Sequence, residues 1–414
     1  MAAMEEPQFR WLLGSNLAFF LALQGQILSR TYLAWELTGD EMALAYVNIA
    51  FAVPMLVFSF LGGAISDRSE RRMLALIGQA TIVCTEAGIL IQLLRGNLEF
   101  WHILAAGALG GAVLPFSMPA RTAMVFNIVG AHRLGNATAL SGAVMNISRV
   151  AGPVVMGFTI DLWSITGAYF VAVALHSLAL LFLFGVNRYT VVHAVKKKFT
   201  ADVVLGFRYV FERKELAACL LFGMLPMFLA MPFQNLLVVF ADEVWQVGER
   251  GLGILMAAAG LGGVIGSVWM AQRGEKTNRT RLMVVSTFLF GLFLAGFALT
   301  PIFLLALVPL IIANICASAG QTLNNTCTQL LVEDEYRGRV SAIMLMTFGL
   351  MPLGVVPLAY LASEFGVQTA ILIASITLCS VVIVFYAISP KLRTLDDYVA
   401  KSVDLIDGNK PSSQ

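Results

Sequence analysis

The feature that most limits how this chain can fold is a recurring one: runs of twenty or more mostly apolar residues, separated by short polar turns. A helix that crosses a bilayer needs about 20 such residues, since in lipid each backbone N–H and C=O must be satisfied within the spanning structure itself. Segments that meet this length run over 11–35, 42–66, 73–94, 101–128, 137–160 and 166–187. A second set runs over 216–241, 251–272, 281–300, 302–331, 340–363 and 367–389. The pattern predicts an all-α membrane protein with about twelve transmembrane helices. Composition argues against a soluble fold: 58% of the 414 residues are apolar and 13% charged, where a soluble domain carries about a quarter charged residues. The mean hydropathy is +0.81. The stretch MAAMEEPQFR is acidic and precedes an apolar run too long for the core of a signal peptide, so it reads as the approach to a retained first span.

One polar interval is long. Residues 188–215, NRYTVVHAVKKKFTADVVLGFRYVFERK, hold Lys196, Lys197, Lys198, Arg208, Arg213 and Lys214, with Val203, Val204, Phe207, Val210 and Phe211 at helical spacing. That pattern suits an amphipathic helix at the membrane surface. It divides the chain into a six-helix bundle over 1–187, a linker over 188–215, a second six-helix bundle over 216–389 and a tail over 390–414. Orientation follows from the basic residues. With the N-terminus in the cytoplasm, 22 of the 27 Lys and Arg fall on cytoplasmic segments; Arg30, Arg95 and Arg250 lie on or near the other side, and Arg121 and Arg149 within spans. The linker and the tail are then cytoplasmic.

The two halves are weakly alike at an offset of 204. RTAMVFNIVGAHRLGNATA (121–139) aligns without gaps to NTCTQLLVEDEYRGRVSAI (325–343), placing Thr122 on Thr326 and Arg133 on Arg337; Pro153 falls on Pro357 and Gly62 on Gly266. A duplicated six-helix unit with pseudo-symmetric bundles is the expected architecture, with a substrate site near the midplane.

The sharpest local signal is GGAISDRSERR, 62–72, where a charge-poor chain places Asp67, Arg68, Glu70, Arg71 and Arg72 on one turn. Gly62 and Gly63 let the end of the second span approach another helix closely. The carboxylate of Asp67 suits a helix N-terminus or an arginine, and the arginines suit lipid phosphates or the last carbonyls of a helix. The turn reads as an ionic latch on the cytoplasmic side, beside the plainer alternative of a basic loop that satisfies topology. Arg121, in MPARTAM, would either complete the latch by meeting Asp67 or line the cytoplasmic mouth. Gly63-x-x-x-Asp67-Arg68-x-x-Arg71-Arg72 resembles the signature of the major facilitator superfamily between its second and third helices, with Glu70 where that family usually has glycine. SRVAGPVVMG is similar to the helix-five motif of the family's proton-coupled exporters through Gly152, Pro153 and Gly157, with Met156 in place of a usual glycine. Pro153 removes a backbone donor and kinks the span, while the glycines permit close packing. MPARTAM, AHRLGNATALSGAVMNISRVAGP and DEYRGRVSAIMLMTFGLMPLG resemble the branch that includes bacterial enterobactin and macrolide exporters. The resemblance implies the major facilitator fold and a bacterial inner-membrane carrier that exports by proton antiport.

Charge inside the hydrocarbon is costly and therefore a functional candidate. Glu86 lies midway along the third span and Arg149 midway along the fifth. Their matched depth predicts an ion pair across the first bundle. Desolvation favours the neutral form of a buried carboxyl group, as a proton carrier requires, while a paired arginine pulls it back toward the charged form; a static pair that fixes packing is the alternative. Arg30 and Glu36 read as interfacial, snorkelling residues. In the resembled family the first, fourth, seventh and tenth helices line the cavity. That makes Gln24, Gln26, Arg30, Met231, Gln234, Asn235, Asn314, Gln321, Asn324 and Asn325 candidate substrate contacts, with interhelical hydrogen bonding as their other role. Met224, Met227, Phe228, Met231 and Phe233 would suit a permissive apolar cavity or a lipid-facing surface equally.

The five cysteines sit in apolar runs without metal or redox spacing and read as buried thiols. No GxxxxGK[ST], HExxH or GxSxG occurs, and the four histidines are not paired at ligand spacing. The expectation is therefore a non-enzyme without cofactor or metal, a monomer in the inner membrane whose partners are a small lipophilic or amphipathic molecule (drug, siderophore or metabolite), protons and lipids, not nucleic acid. Import, lipid carriage and a non-transporting scaffold or sensor are the alternatives.

Overall fold

The computed structural model describes residues 2–66, 70–188, 205, 208–273, 278–333, 336, 340, 343–344, 352–396 and 398, with backbone alone at 2, 60–66, 131–132, 271, 273 and 352. Among these residues the regular structure is helical and there is no strand. The helices are α1 (Pro7–Thr38), α2 (Glu41–Ser66), α3 (Arg71–Arg95), α4 (Phe100–Gly130) and α5 (Arg133–Phe184). They are followed by α6 (Lys214–Leu229), α7 (Gly248–Arg273), α8 (Arg279–Leu299), α9 (Phe303–Leu331), α10 (Pro352–Phe365) and α11 (Val367–Ile388). Among the described residues, ten candidate spans are long and apolar enough to cross a membrane. One of them, the 52-residue α5, contains a break that makes two spans of it.

That break lies at Trp163 and Ser164, where Ser164 takes φ 66° and ψ 175°. Contacts with α1 show that the chain reverses there. On the first arm, Asn136 accepts from the Ala3 N–H and Met156 packs on Gly25, so this arm runs parallel to α1. On the second arm Ala179 accepts from Ser15, and just past its end the Asn187 N–H donates to Gln8, so the order is inverted. α1 begins with Pro7 at its first turn and ends at Gly39, whose φ of 59° closes the helix by an N–H bond to the Trp35 carbonyl.

The seventh expected span, 216–241, is not one continuous helix. α6 ends at Leu229, a 3₁₀ turn covers Met231–Leu236, and a wide π turn covers Phe240–Val244. Pro226 and Pro232 each remove a donor, so the regular ladder cannot run through. Irregular backbone survives in a membrane protein only where it is covered, and Phe233, Leu237, Val239 and Phe240 are all fully buried.

Contacts divide the chain into two compact units, one comprising 1–196 with 235–260 and the other 197–234 with 261–414. Residues 235–260 thus belong by contact with the first unit, where Asn48 donates to Asn235 (2.9 Å) and Trp35 to Asp242 (2.8 Å). In the second unit α8 runs antiparallel to α9 and to α11. Gly320 packs on Thr287 and Gly296 on Pro309, while Gly291 packs on Cys379 and the Thr280 N–H meets Asp396.

In the first unit α2 and α4 approach through a Gly107-x-x-x-Gly111 pair. A Cβ on Gly111 would lie 1.9 Å from the Phe51 carbonyl oxygen, so the helices have to separate to admit any side chain. We expect Gly111→Leu to lower the yield and melting temperature of detergent-purified protein. Gly88→Leu, whose Cβ meets nothing within 4 Å, serves as the matched control and should leave both near wild type.

Of the cysteines, Cys219 and Cys327 are buried and Cys316 and Cys379 partly so, but Cys84 is exposed on α3. Hydropathy places a residue within a span without saying which way its side chain faces.

Candidate functional site

Polar side chains recur on the inward faces of α1, α3, α4 and α5 at helical spacing and meet inside the first unit. Gln26 and Arg30, four residues apart on α1, lie one above the other and both donate to Oε1 of Glu86 on α3, Arg30 through Nη2 at 2.6 Å. Glu86 has no exposed surface, and Arg30 is 8% exposed. A charge-assisted contact of this kind is what makes an ionised pair tolerable in a dry interior.

Seven residues along α3, about 10 Å away by helical rise, Gln79 forms a second level. Its amide nitrogen donates to the His176 carbonyl (2.9 Å) and lies 3.2 Å from His176 Nδ1, and its oxygen accepts from Arg121 Nη2 (2.8 Å). Arg121 Nη1 donates to Ser15 Oγ (3.0 Å) and Asn16 Oδ1 (2.8 Å), and its guanidinium carbon stands 4.5 Å over the Phe19 ring. Neutral acceptors and an aromatic face therefore hold this second buried cation. Tyr169 and His176 are also seven apart, on the second arm of α5, and both are buried. That arm runs opposite to α3, so Tyr169 stands at the level of Glu86 as His176 stands at that of Gln79.

The expected pairing of Glu86 with Arg149 is corrected: the partners of Glu86 are Arg30 and Gln26, and Arg149 is exposed on the first arm of α5. Matched depth had suggested the pair, but depth does not fix helix rotation. Arg30 is likewise not interfacial. α1 turns it inward, and its charge is neutralised rather than snorkelled to water.

Of the latch residues, Asp67 and Arg68 lie outside the described residues, and of Gly63 only the helical backbone is described. Arg71 donates to Asn127 Oδ1 (2.8 Å) on α4. Arg72 donates to the Leu183 (3.3 Å) and Phe184 (3.0 Å) carbonyls that end α5. Nη1 and Nη2 of Arg121 donate to Ser15, Asn16 and Gln79. Gly152 is buried against α1, where a Cβ on it would meet the Leu21 carbonyl at 2.8 Å, and Pro153 is buried with its carbonyl oxygen beside Gly253 of α7. Gly157 packs on Gly253 of α7.

Among the other candidate contacts, Gln24 is half-buried beside Gly152. Met231 and Gln234 are half-buried on the 3₁₀ turn, and Asn235 accepts from Asn48. In the second unit Asn314 donates to its own helix at Leu310, and Asn324 donates to the Cys219 carbonyl (2.7 Å). Gln321 and Asn325, both half-buried, bond to one another at 3.1 Å. Among the described residues the buried side chains with formal charge, Arg30, Glu86 and Arg121, all belong to the first unit. Ser15, Asn16, Gln79, Tyr169 and His176 did not stand out in the sequence as site residues. The seven-residue spacing of Gln79 with Glu86 and of Tyr169 with His176 was the signal available.

The first unit also holds a cavity of about 420 Å³ lined by Tyr32, Trp35, Glu36, Asp242, Glu243 and Glu249. Tyr32 donates to Glu249 at 2.5 Å, and Trp35 to Asp242.

Comparison with known proteins bears on what such a core serves. The family described as transmembrane secretion effector, within the major facilitator superfamily, matches residues 1–408. The chain is 22% identical to the staphyloferrin A transporter of Staphylococcus aureus, over 90% of this chain and 95% of that protein. It is 25% identical to the multidrug efflux pump Tap of Mycolicibacterium fortuitum, over 89% of this chain and 92% of the pump. Among solved structures, the nucleoside transporter NupG superposes with a TM-score of 0.76 at 15% identity, covering 92% of this chain and 98% of NupG, a likeness of fold. The helices, the spans and the family match agree: this chain is a multi-pass membrane protein of the transmembrane secretion effector family, a major facilitator superfamily transporter.

Proposed function

We propose that the protein is a proton-coupled exporter of a small lipophilic or amphipathic molecule, a drug, siderophore or metabolite, working by alternating access. It acts as a monomer in a bacterial inner membrane, with both termini in the cytoplasm and 188–215 as the cytoplasmic linker between its halves. One observation carries the coupling: Glu86, the one carboxylate among the described residues with no exposed surface, is held by Arg30 and Gln26. A proton delivered to its carboxylate removes the negative charge and leaves Arg30 as an unbalanced cation in a low-dielectric interior, which raises the energy of that arrangement. The strain falls on α1. This helix carries Gln26 and Arg30 and also Ser15 and Asn16, which hold Arg121. A shift of α1 therefore disturbs both polar levels together, and loss of the proton restores them. The relatives named above, a staphyloferrin A transporter and a multidrug efflux pump, support small amphipathic substrates. The half-buried Gln24, Met231, Gln234, Gln321 and Asn325 are the side chains we assign to substrate contact, and Asp67 with Arg68, Arg71 and Arg72 to gating.

The reading is tested in everted membrane vesicles offered a panel of fluorescent drugs and ferric-chelator analogues. Vesicles bearing the protein should accumulate at least one compound when the lumen is acidic and release it on addition of a protonophore. Accumulation that ignores the proton gradient would exclude antiport, and absence of any vesicle uptake across the panel would count against export.

A further inference from the structure

A second cavity, of about 620 Å³, lies wholly within the second unit between α6 and α11. Its walls are apolar, with Ala217 and Leu221 on one side and Val384 and Ile388 on the other, and Phe211 stands at one end beside Lys214. Phe211 and Ile388 are each 74% exposed, and Leu221 and Val384 are exposed as well. These side chains stand on or beside membrane-length helices, so the medium that meets the groove is lipid rather than water.

Its charged end differs from its surroundings. The neighbouring cations are engaged by protein: Arg208 with Glu212 (2.7 Å), Arg213 with Glu333, Lys391 with Glu215 (2.7 Å), and Arg393 with the Tyr386 and Ala387 carbonyls that end α11. Lys214 lines the groove and is exposed, with no acceptor among the described residues. An ammonium at the mouth of an apolar channel that runs about 10 Å along α6, from Lys214 to Leu221, matches a ligand with an anionic head and a hydrocarbon tail.

We propose that this groove is a binding site for an anionic phospholipid, with one acyl chain lying between α6 and α11 and the phosphate meeting Lys214. A neutral zwitterionic lipid fits the walls but gains less at the mouth. One lysine near a lipid headgroup corresponds to about a fivefold preference for the anionic lipid.

The test uses the full chain, purified and delipidated, titrated with phosphatidylglycerol or phosphatidylcholine of identical acyl chains and read by native mass spectrometry and melting temperature. Wild type should bind phosphatidylglycerol about fivefold more tightly and melt higher with it. Lys214→Gln should bind the two lipids equally, and Ala217→Trp, which fills the groove, should weaken both. Equal binding of the two lipids by wild type would overturn the proposal. So would undiminished phosphatidylglycerol binding by a folded Ala217→Trp protein, or displacement of the lipid by a transported compound. Should Ala217→Trp fail to fold, the preference retained or lost in Lys214→Gln decides.

Discussion

Replacing Glu86 by glutamine is expected to bring proton-driven export down to background, a fall of more than about tenfold, while the protein still folds and reaches the membrane. Glutamine has the size of the carboxyl group it replaces, and its carbonyl oxygen can accept from Arg30 and Gln26 as Oε1 of Glu86 does. What it cannot do is exchange a proton. The variant therefore resembles the permanently protonated carrier. It should still exchange labelled for unlabelled substrate across a vesicle membrane without net proton movement, but should not accumulate substrate against a gradient. Loss of accumulation with exchange preserved would assign Glu86 to coupling and not to substrate binding. Glu86→Asp keeps the proton but draws the carboxylate back by one methylene from a 2.6 Å contact; intermediate transport is expected. Wild-type accumulation in Glu86→Gln would place the coupling proton elsewhere.

The approximate position of most spans was legible because lipid imposes a length and an apolar composition that any reader of the sequence can measure. Two features escaped that reading for one reason. The break at Ser164 was anticipated only as a gap between spans, and the irregular course from Ala230 to Val244 was not anticipated, since Pro226 and Pro232 sit in a run whose hydropathy alone suggests an unbroken helix. The depth of Glu86 was equally readable. Its partner was not, because hydropathy varies with distance along a span and says nothing about rotation around it. Arg30 lies near the end of a long first helix, where an arginine usually reaches for the interface. The packing of α1 against α4 and α5 turns it inward instead. Arg121, read as a latch or a mouth residue, is instead enclosed by Ser15, Asn16 and Gln79, three neutral residues with no feature of their own that would mark them.

The second large effect concerns stability. Arg30→Met should destabilise the protein by about 3–5 kcal/mol, the usual result of leaving one member of a buried pair without its partner. Methionine fills much of the arginine stem's volume, so the loss reports the stranded carboxylate of Glu86 more than a cavity. The double variant Arg30→Met with Glu86→Gln carries no unpaired charge at this level and should recover most of the lost stability, a strongly non-additive cycle between residues in direct contact. Transport should not recover, because the double variant lacks both the proton acceptor and the cation whose balance it controls. Melting temperatures in detergent and accumulation in vesicles, measured on the same four proteins, separate the roles. A pair that served packing alone would show stability and transport restored together. A pair built for coupling shows stability restored in a protein that no longer accumulates substrate. Arg30→Met as stable as wild type would mean that Glu86 reaches water or another cation, and that the ion pair does not hold α1 to α3.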